Sequence, residues 1–453
     1  MTDQLAPVPP LAEDEAGLPG PAIGEPPVAL ERHQPFRSLR HREFRLLFTA
    51  YAIGDLGFWI SHISLQSEMA RVTDNSSIWL GILFFGTFIP MLLFAPFAGV
   101  VADRVDRKKM LMVSRGAVGV VAACLSIAVL SGAGTPGVLT LFGFCIGTLF
   151  AFMAPAQQAA TANAVPLADL SSAISVESAG SNISRIAGPA LAAPILAAWG
   201  AGWSFAVYAA SNVLMLLALA PVHLRSHIDR HEPGNGWQRW KEGLRHARDR
   251  PPAVAALVTM SVFSVFGAAH VVLLPVFTTD VLHHPRDDFT VLVIASGVGA
   301  VIGALTTGFR RSVPTLRNAA TWVLAFGIAA GGFALSTSWA LSLGLIAVLG
   351  FCYFSTTTSL NTLLQHLADD KKRGRLMGLF AVAWAGLLPL GAIWMGAVAT
   401  ATSAPVAVGI GAAVCALYAM VLLARRVGEG QTNAGQTNPG QADEPQSAIE
   451  PPR

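Results

Sequence analysis

The sequence predicts an all-α integral membrane protein of twelve transmembrane helices, arranged as two pseudo-symmetric six-helix halves. Three features of the chain point there. Only 13% of its residues are charged and 53% are hydrophobic, whereas about a quarter are charged in a soluble domain. Twelve apolar stretches lie between positions 44 and 425, each near the ~20 residues a helix needs to cross ~30 Å of hydrocarbon. Lys and Arg gather in alternate loops, the pattern that orients a polytopic protein.

Residues 1–36 are Pro-rich and lack a basic segment followed by a compact apolar core, so a disordered cytoplasmic tail is expected and not a signal peptide. The first half, 37–221, is expected to cross at 44–69, 78–101, 109–131, 137–160, 169–198 and 203–221. A cytoplasmic linker, 222–252, follows. In it Trp237, Trp240 and Leu244 recur at helical spacing between Arg239, Lys241, Arg245 and Arg248, as in a helix lying on the inner headgroups. The second half, 253–426, is expected to cross at 253–279, 289–309, 318–336, 339–364, 375–399 and 404–425. A second disordered tail, 427–453, is punctuated by Gly, Gln and Pro.

Orientation follows from the basic residues. One side holds Arg32, Arg37, Arg40, Arg42 and Arg45, then Arg104, Arg107, Lys108, Lys109 and Arg115, then seven in 222–252. It continues with Arg310, Arg311 and Arg317, then Lys371, Lys372, Arg373 and Arg375, and ends with Arg425 and Arg426. The opposite loops hold Arg71 and Arg286. Both termini are therefore expected in the cytoplasm. Trp79, Trp199, Trp203 and Trp339 fall near the outer ends, where an amphipathic ring anchors a span at the interface.

The net charge of +3 resides in short loops between apolar spans, so nucleic acid is not an expected partner. Cys124, Cys145, Cys352 and Cys415 lie inside apolar runs without metal-ligand spacing and are expected to be buried structural thiols. His223, His227 and His231 are four apart and could share a helix face, but no carboxylate or cysteine surrounds them, and a solvated face is expected instead of a metal site. The chain contains no H-E-x-x-H, no G-x-S-x-G and no P-loop, so neither an enzyme nor a nucleotide-driven pump is expected, and no cofactor is implied.

The halves echo each other at an offset of about 200 residues, as in transporters built from repeats. Gly99-Val-Val-Ala-Asp103-Arg104-Val-Asp106-Arg107-Lys108-Lys109 after the second span has a shorter counterpart, Gly308 to Arg317, after the eighth. Asn163 to Ala173 after the fourth matches His366 to Met377 after the tenth. With twelve spans and a long central loop, Gly99, Asp103, Arg104, Arg107 and Lys108 make the chain resemble the major facilitator superfamily through its loop signature G-x-x-x-D-R-x-x-R-K. Asn182-Ile-Ser-Arg185-Ile-Ala-Gly188-Pro189-Ala-Leu-Ala192 and Arg373-Gly374-Arg375-Leu-Met-Gly378 resemble the bacterial branch that includes the enterobactin exporter. Three departures stand against the pattern. Asp106 occupies a place often held by Gly, the antiporter motif G-P-x-x-G-G carries Ala192 and Ala193 for its last two glycines, and the fourth-span arginine of many proton-driven drug exporters is missing.

The resemblance implies that the 2–3 loop latches the halves together on the cytoplasmic side and favours an outward-open state. It also implies a bacterial inner-membrane protein acting as a monomer. From the residues themselves, Asp103 is expected to cap the start of the third span while its basic neighbours meet anionic headgroups. Asp55 lies about 16 Å into the first span at 1.5 Å per residue, near the midplane, where an acid is a candidate for proton exchange or substrate contact. The bland alternative is a carboxylate satisfied by local backbone at a helix break beside Gly54 and Gly57. Glu177 and Arg185 are about 12 Å apart along one helix and so need separate partners. An ion pair or an anionic substrate is expected for Arg185, and the inner gate or a plain helix interface for Glu177.

His62 and His270 are lesser candidates, since a lone His on an apolar helix is more often a satisfied core group. Gln157, Gln158 and Asn163 match Asn361 and Gln365 in the other half and could line the path or tie helices. Pro90, Pro96, Pro155, Pro189, Pro194, Pro275 and Pro389 mark candidate bending points. Gly188 and Pro189 are expected to serve helix packing, and Arg373, Gly374 and Arg375 belong to the 10–11 loop. The function expected is secondary transport: proton-coupled efflux of a small amphipathic molecule, siderophore- or drug-like, by alternating access. An importer or facilitator, or a non-transporting sensor of the same fold, is the alternative.

Overall fold

A backbone in hydrocarbon has no water to bond, so every apolar run must close its own N–H and C=O groups, and a helix does so. The computed structural model describes residues 36–223, 245, 247–308, 314–368 and 373–425. A short 3-10 turn, Arg37–Arg40, precedes six helices: α1 Arg42–Val72, α2 Ser77–Arg104, α3 Arg107–Leu130, α4 Pro136–Asn163, α5 Leu170–Trp199 and α6 Ala201–Leu219. The second half holds α7 Pro251–Val281, α8 Phe289–Gly308, α9 Leu316–Leu335 and α10 Trp339–Leu367. Then come α11, built from Arg373–Ala381, Val382–Gly386 and Leu388–Ala401, and α12 Ala404–Ala424. Eleven of these elements are long and apolar enough to cross a membrane. The remaining one, α5, has 30 residues but carries Glu177, Asn182, Arg185 and a series of serines. The two tails, Trp237, Trp240, Leu244, His227, His231 and most of the 8–9 loop lie outside the described residues.

The halves repeat one packing scheme. In the first, α2 packs on α4, α3 on α4 and α6, and α1 on α5 and α6. In the second, α8 packs on α10, α9 on α10 and α12, and α7 on α11 and α12. The halves meet along α2 with α11 and α5 with α8, two pairs related by the same repeat. This is the architecture of duplicated transporters, whose pathway runs between the halves.

Three expectations are corrected here. Asp103 does not begin the third span, because α2 runs on to Arg104; the N-cap of α3 is Asp106, whose carboxylate accepts the Lys109 backbone N–H at 2.8 Å. The residue that departs from the loop signature thus satisfies an otherwise orphaned helix donor. There is no helix break at Asp55, since α1 is continuous through Gly54 and Gly57. The thiols are not uniformly buried: Cys352 and Cys415 are, Cys145 is half-buried and Cys124 is exposed on the bundle surface.

Pro155, Pro189 and Pro194 lie inside continuous helices. The regular ladder changes instead in α7, through π turns at Phe263–Gly267 and Phe277–Val281 flanking a 3-10 stretch Ala268–Leu273, and in α11, through a π turn at Val382–Gly386. Pro275 and Pro389 sit beside these departures. At the end of the bundle where α1 turns into α2, three side-chain hydrogen bonds among the described residues join the halves. Ser67 donates to Asp287 at 2.5 Å, Asn75 Nδ2 to Thr279 at 3.0 Å, and Arg286 Nε to Asn75 Oδ1 at 2.9 Å.

Candidate functional site

The register of α1 against α5 sets the site. Both helices run in the same direction, and Ser181 lies beside Asp55, so one turn further on Arg185 meets Trp59. Gly188 permits this closeness: a Cβ there would collide with Cβ of Trp59. Gly188 thus stands where α5 and α1 approach closely, as small residues allow. The result is two tiers stacked along the membrane normal.

The lower tier collects ionisable groups. Half-buried Asp55 of α1 stands within electrostatic reach of Arg115 of α3, whose charge also acts on Tyr51 and Tyr208. Arg115 is only 2% exposed, and its Nε and Nη2 have no hydrogen-bond partner among the described residues. Gly54 makes room for it, since a Cβ at that position would stand 3.1 Å from Arg115 Nη1 and 2.6 Å from the Met215 sulfur. Glu177 completes the tier. It accepts from Thr161 Oγ1 at 2.8 Å and from Gln157 Nε2 at 3.2 Å, tying α5 to α4 of its own half.

Arg115 corrects the sequence reading, which placed it with the cytoplasmic loop charges. It lies eight residues into α3, about 12 Å along the axis, and that depth was the available signal. The amides at the ends of α4 and α10, alike in sequence, differ in role: Gln157 serves Glu177, whereas Gln365 donates to Asn361 on its own helix at 2.5 Å.

The upper tier is aromatic with one cation. The Arg185 guanidinium carbon lies 4.9 Å from the Trp59 ring centroid and 4.7 Å from that of Phe354 on α10. No carboxylate of the described residues pairs with it, so the expected ion pair is replaced by two ring faces, one from each half. Behind Phe354, Tyr353 accepts from Trp384 Nε1 at 2.7 Å and stacks on Phe263. His62, one turn beyond Phe58, is ringed by Phe58, Trp59, Phe84 and Phe88 at 5.3–5.9 Å, within reach of the Arg185 charge. A small cavity lined by Phe58, Ser61, His62, Leu65, Thr87, Gly143, Ile146 and Tyr208 opens behind it.

His270 stands apart from this group. It is buried in α7, its Nδ1 2.9 Å from the Gly267 carbonyl and its ring edge-on to Phe326; a carbonyl only accepts, so Nδ1 carries the proton of that bond.

At the start of α3, Lys108 of the loop signature donates to the Ala220 carbonyl at 2.6 Å, at the C-terminus of α6 in its own half. The side chains of Gly99, Asp103, Arg104, Arg107, Arg373, Gly374 and Arg375 lie outside what the structure describes. Asp169, buried ahead of α5, pairs with Arg37 at 2.9 Å and His41 at 2.7 Å, which pins the N-terminal 3-10 turn to the 4–5 loop. Among the described residues no three His, Cys, Asp or Glu side chains are grouped to share a metal ion.

Known proteins fit this arrangement. The chain is 24% identical to the staphyloferrin A transporter of Staphylococcus aureus over 75% of its own length and 85% of that protein. It is 25% identical to the enterobactin exporter EntS of Citrobacter koseri over 84% and 92%. Its fold superposes on the nucleoside transporter NupG with a TM-score of 0.71 at 13% identity, over 84% of this chain and 99% of that one. The family described as transmembrane secretion effector, MFS_3, matches residues 33–450. The two-halved bundle of helices is thus a multi-pass membrane transporter, and the chain belongs to the transmembrane secretion effector family of the major facilitator superfamily.

Proposed function

We propose that this transporter exports a small amphipathic molecule, siderophore- or drug-like, from the cytoplasm across the bacterial inner membrane, coupled to proton entry. The observation that carries the reading is the pairing of tiers: an acid beside a buried guanidinium, one helical turn below an aromatic surface shared by both halves. An acid at that depth has one common use in transporters, the relay of protons or contact with cargo. The rings supply an apolar bed for a molecule that must leave water. The name of the enterobactin exporter supports export, and the names of both relatives support a siderophore-like cargo.

In this reading Asp55 takes and releases the proton, with Glu177 and His62 as neighbouring relay groups and Arg115 as the counter-charge. The loop of Gly99, Asp103, Arg104, Arg107 and Lys108 latches the cytoplasmic side when the outer side opens, and anionic lipid headgroups meet its basic residues. Both termini face the cytoplasm, by the distribution of Lys and Arg. Alternating access then rocks one half against the other about the contacts of α2 with α11 and α5 with α8.

The test is proton flux in everted membrane vesicles, followed with a pH-sensitive dye while siderophores and amphipathic drugs are added, wild type beside Asp55→Asn. The expected result is a compound that dissipates the gradient with the wild type only. Equal dissipation by the folded Asp55→Asn protein would remove Asp55 from the coupling, and no dissipation by any compound would count against proton-driven export of these classes.

A further inference from the structure

Arg185 combines three properties that are hard to reconcile with a structural role alone. It is a full positive charge about 23 Å into α5 at 1.5 Å per residue, where an unpaired cation is strongly disfavoured. It has no carboxylate partner among the described residues, and its guanidinium lies against the faces of Trp59 and Phe354, with His62 and Tyr353 within electrostatic reach. It is half-buried, and both rings that hold it lie at the boundary between the halves. Ring faces offset only part of what a carboxylate would give. The nearest acids along these helices, Asp55 and Glu177, stand one and two turns away, on the lower tier.

We infer that the Trp59–Arg185–Phe354 cluster is a receptor for an organic anion carried on a flat aromatic body. The anionic group takes the guanidinium, whose planar fork suits a carboxylate-like pair of oxygens. The body lies against the rings, next to Tyr353, whose hydroxyl accepts from Trp384 Nε1 at 2.7 Å and keeps its own proton to donate. Because Trp59 belongs to the first half and Phe354 to the second, a ligand that takes Arg185 also replaces the cation that the two halves share. Occupancy and the closeness of the halves are thereby linked. The inference rests on the transport reading, in that the boundary between halves is taken as the place where cargo sits.

The test uses three probes with one ring and different charge: 2-naphthoate, 2-naphthamide and 2-naphthylmethylammonium. Binding to the purified full-length protein in detergent is measured by equilibrium dialysis. For the wild type, 2-naphthoate binds about tenfold or more tighter than the other two, the scale of a charge-assisted bidentate contact. Arg185→Gln abolishes that preference, and Arg185→Lys retains part of it. Phe354→Leu weakens all three probes alike. Equal binding of the three probes to wild type, no binding of any, or a preference that survives in Arg185→Gln overturns the receptor. Should Arg185→Gln fail to fold, the wild-type preference and Arg185→Lys still decide.

The outcome separates from that of the export reading. A naphthoate preference that depends on Arg185, without proton-linked flux in vesicles, leaves the receptor standing and removes export. Proton-linked flux of a neutral or cationic compound that Arg185→Gln does not alter does the reverse.

Discussion

Arg115 and Asp55 illustrate how the meaning of a single residue depends on depth. In the sequence Arg115 follows Arg107, Lys108 and Lys109 and looks like one more loop charge; in the fold it is 2% exposed and acts on Asp55 from the space beside Gly54. Removing one member of a fully buried charged pair costs about 3–5 kcal/mol, because the other is left uncompensated, and half-buried Asp55 places the cost here below that range. Arg115→Met is therefore expected to lower thermal stability in detergent. Asp55→Asn together with Arg115→Met should recover much of that loss. Additive effects in this double-mutant cycle would show that the two groups are not coupled. At the start of α3, Asp106→Ala removes the cap and should cost about 1 kcal/mol, measured as a fall in melting temperature, whereas Asp103→Ala should leave that helix start unchanged. In the sequence Asp103 is marked by the family signature. The cap was not legible, because two acids three residues apart are equal candidates until the end of α2 is fixed.

At the scale of elements, eleven of the twelve expected spans are helices long and apolar enough to cross a membrane, because hydrocarbon thickness sets a length that apolar runs either meet or miss. The expected fifth span, α5, is a helix of 30 residues whose polar residues lie among Ile183, Ile186, Leu191, Ile195 and Leu196. The faces were not legible: a helix that is apolar all round gives no period by which to tell core from lipid. For that reason Trp59, Phe354, Tyr353 and Trp384 went unmarked as a group, although Asp55 and Arg185 beside them were marked by their charge. The π turns of α7 and α11 were hidden as well, because Pro275 and Pro389 signal a disturbed ladder but not its kind. Gly188 is where α5 and α1 come closest to a test of this packing. Gly188→Leu should push α5 away from Trp59, costing about 1–3 kcal/mol as overpacking does, and should impair transport together with stability. Unchanged melting and transport in Gly188→Leu would show that the α1–α5 contact is loose and does not set the position of Arg185.

For the whole molecule, the proposed alternating access must change the relation between the two halves, and the contacts at the end of the bundle where α1 turns into α2 are specific. Asn75 stands in a left-handed backbone conformation, φ 61°, with its own N–H bonded to the Ala70 carbonyl at 2.8 Å, so the α1–α2 turn holds the side chain in place. From there it donates to Thr279 and accepts from Arg286, while Ser67 donates to Asp287. Each such bond contributes about 0.5–1.5 kcal/mol net. Asn75→Ala removes two of them, a bias of roughly 1–3 kcal/mol, or about fivefold to 150-fold in the ratio of molecules closed to molecules open at this end. A bias of that size suits a gate that must open in every cycle, and a much stronger tie would trap the closed state. Asn75→Cys with Thr279→Cys, in a protein whose four native cysteines are replaced by serine, places two thiols where the side chains now meet. Oxidation should cross-link the pair and stop transport, and reductant should restore it. Transport at the wild-type rate by the fully cross-linked protein would mean that these ends do not separate during the cycle, and that this closure is a fixed hinge and not a gate.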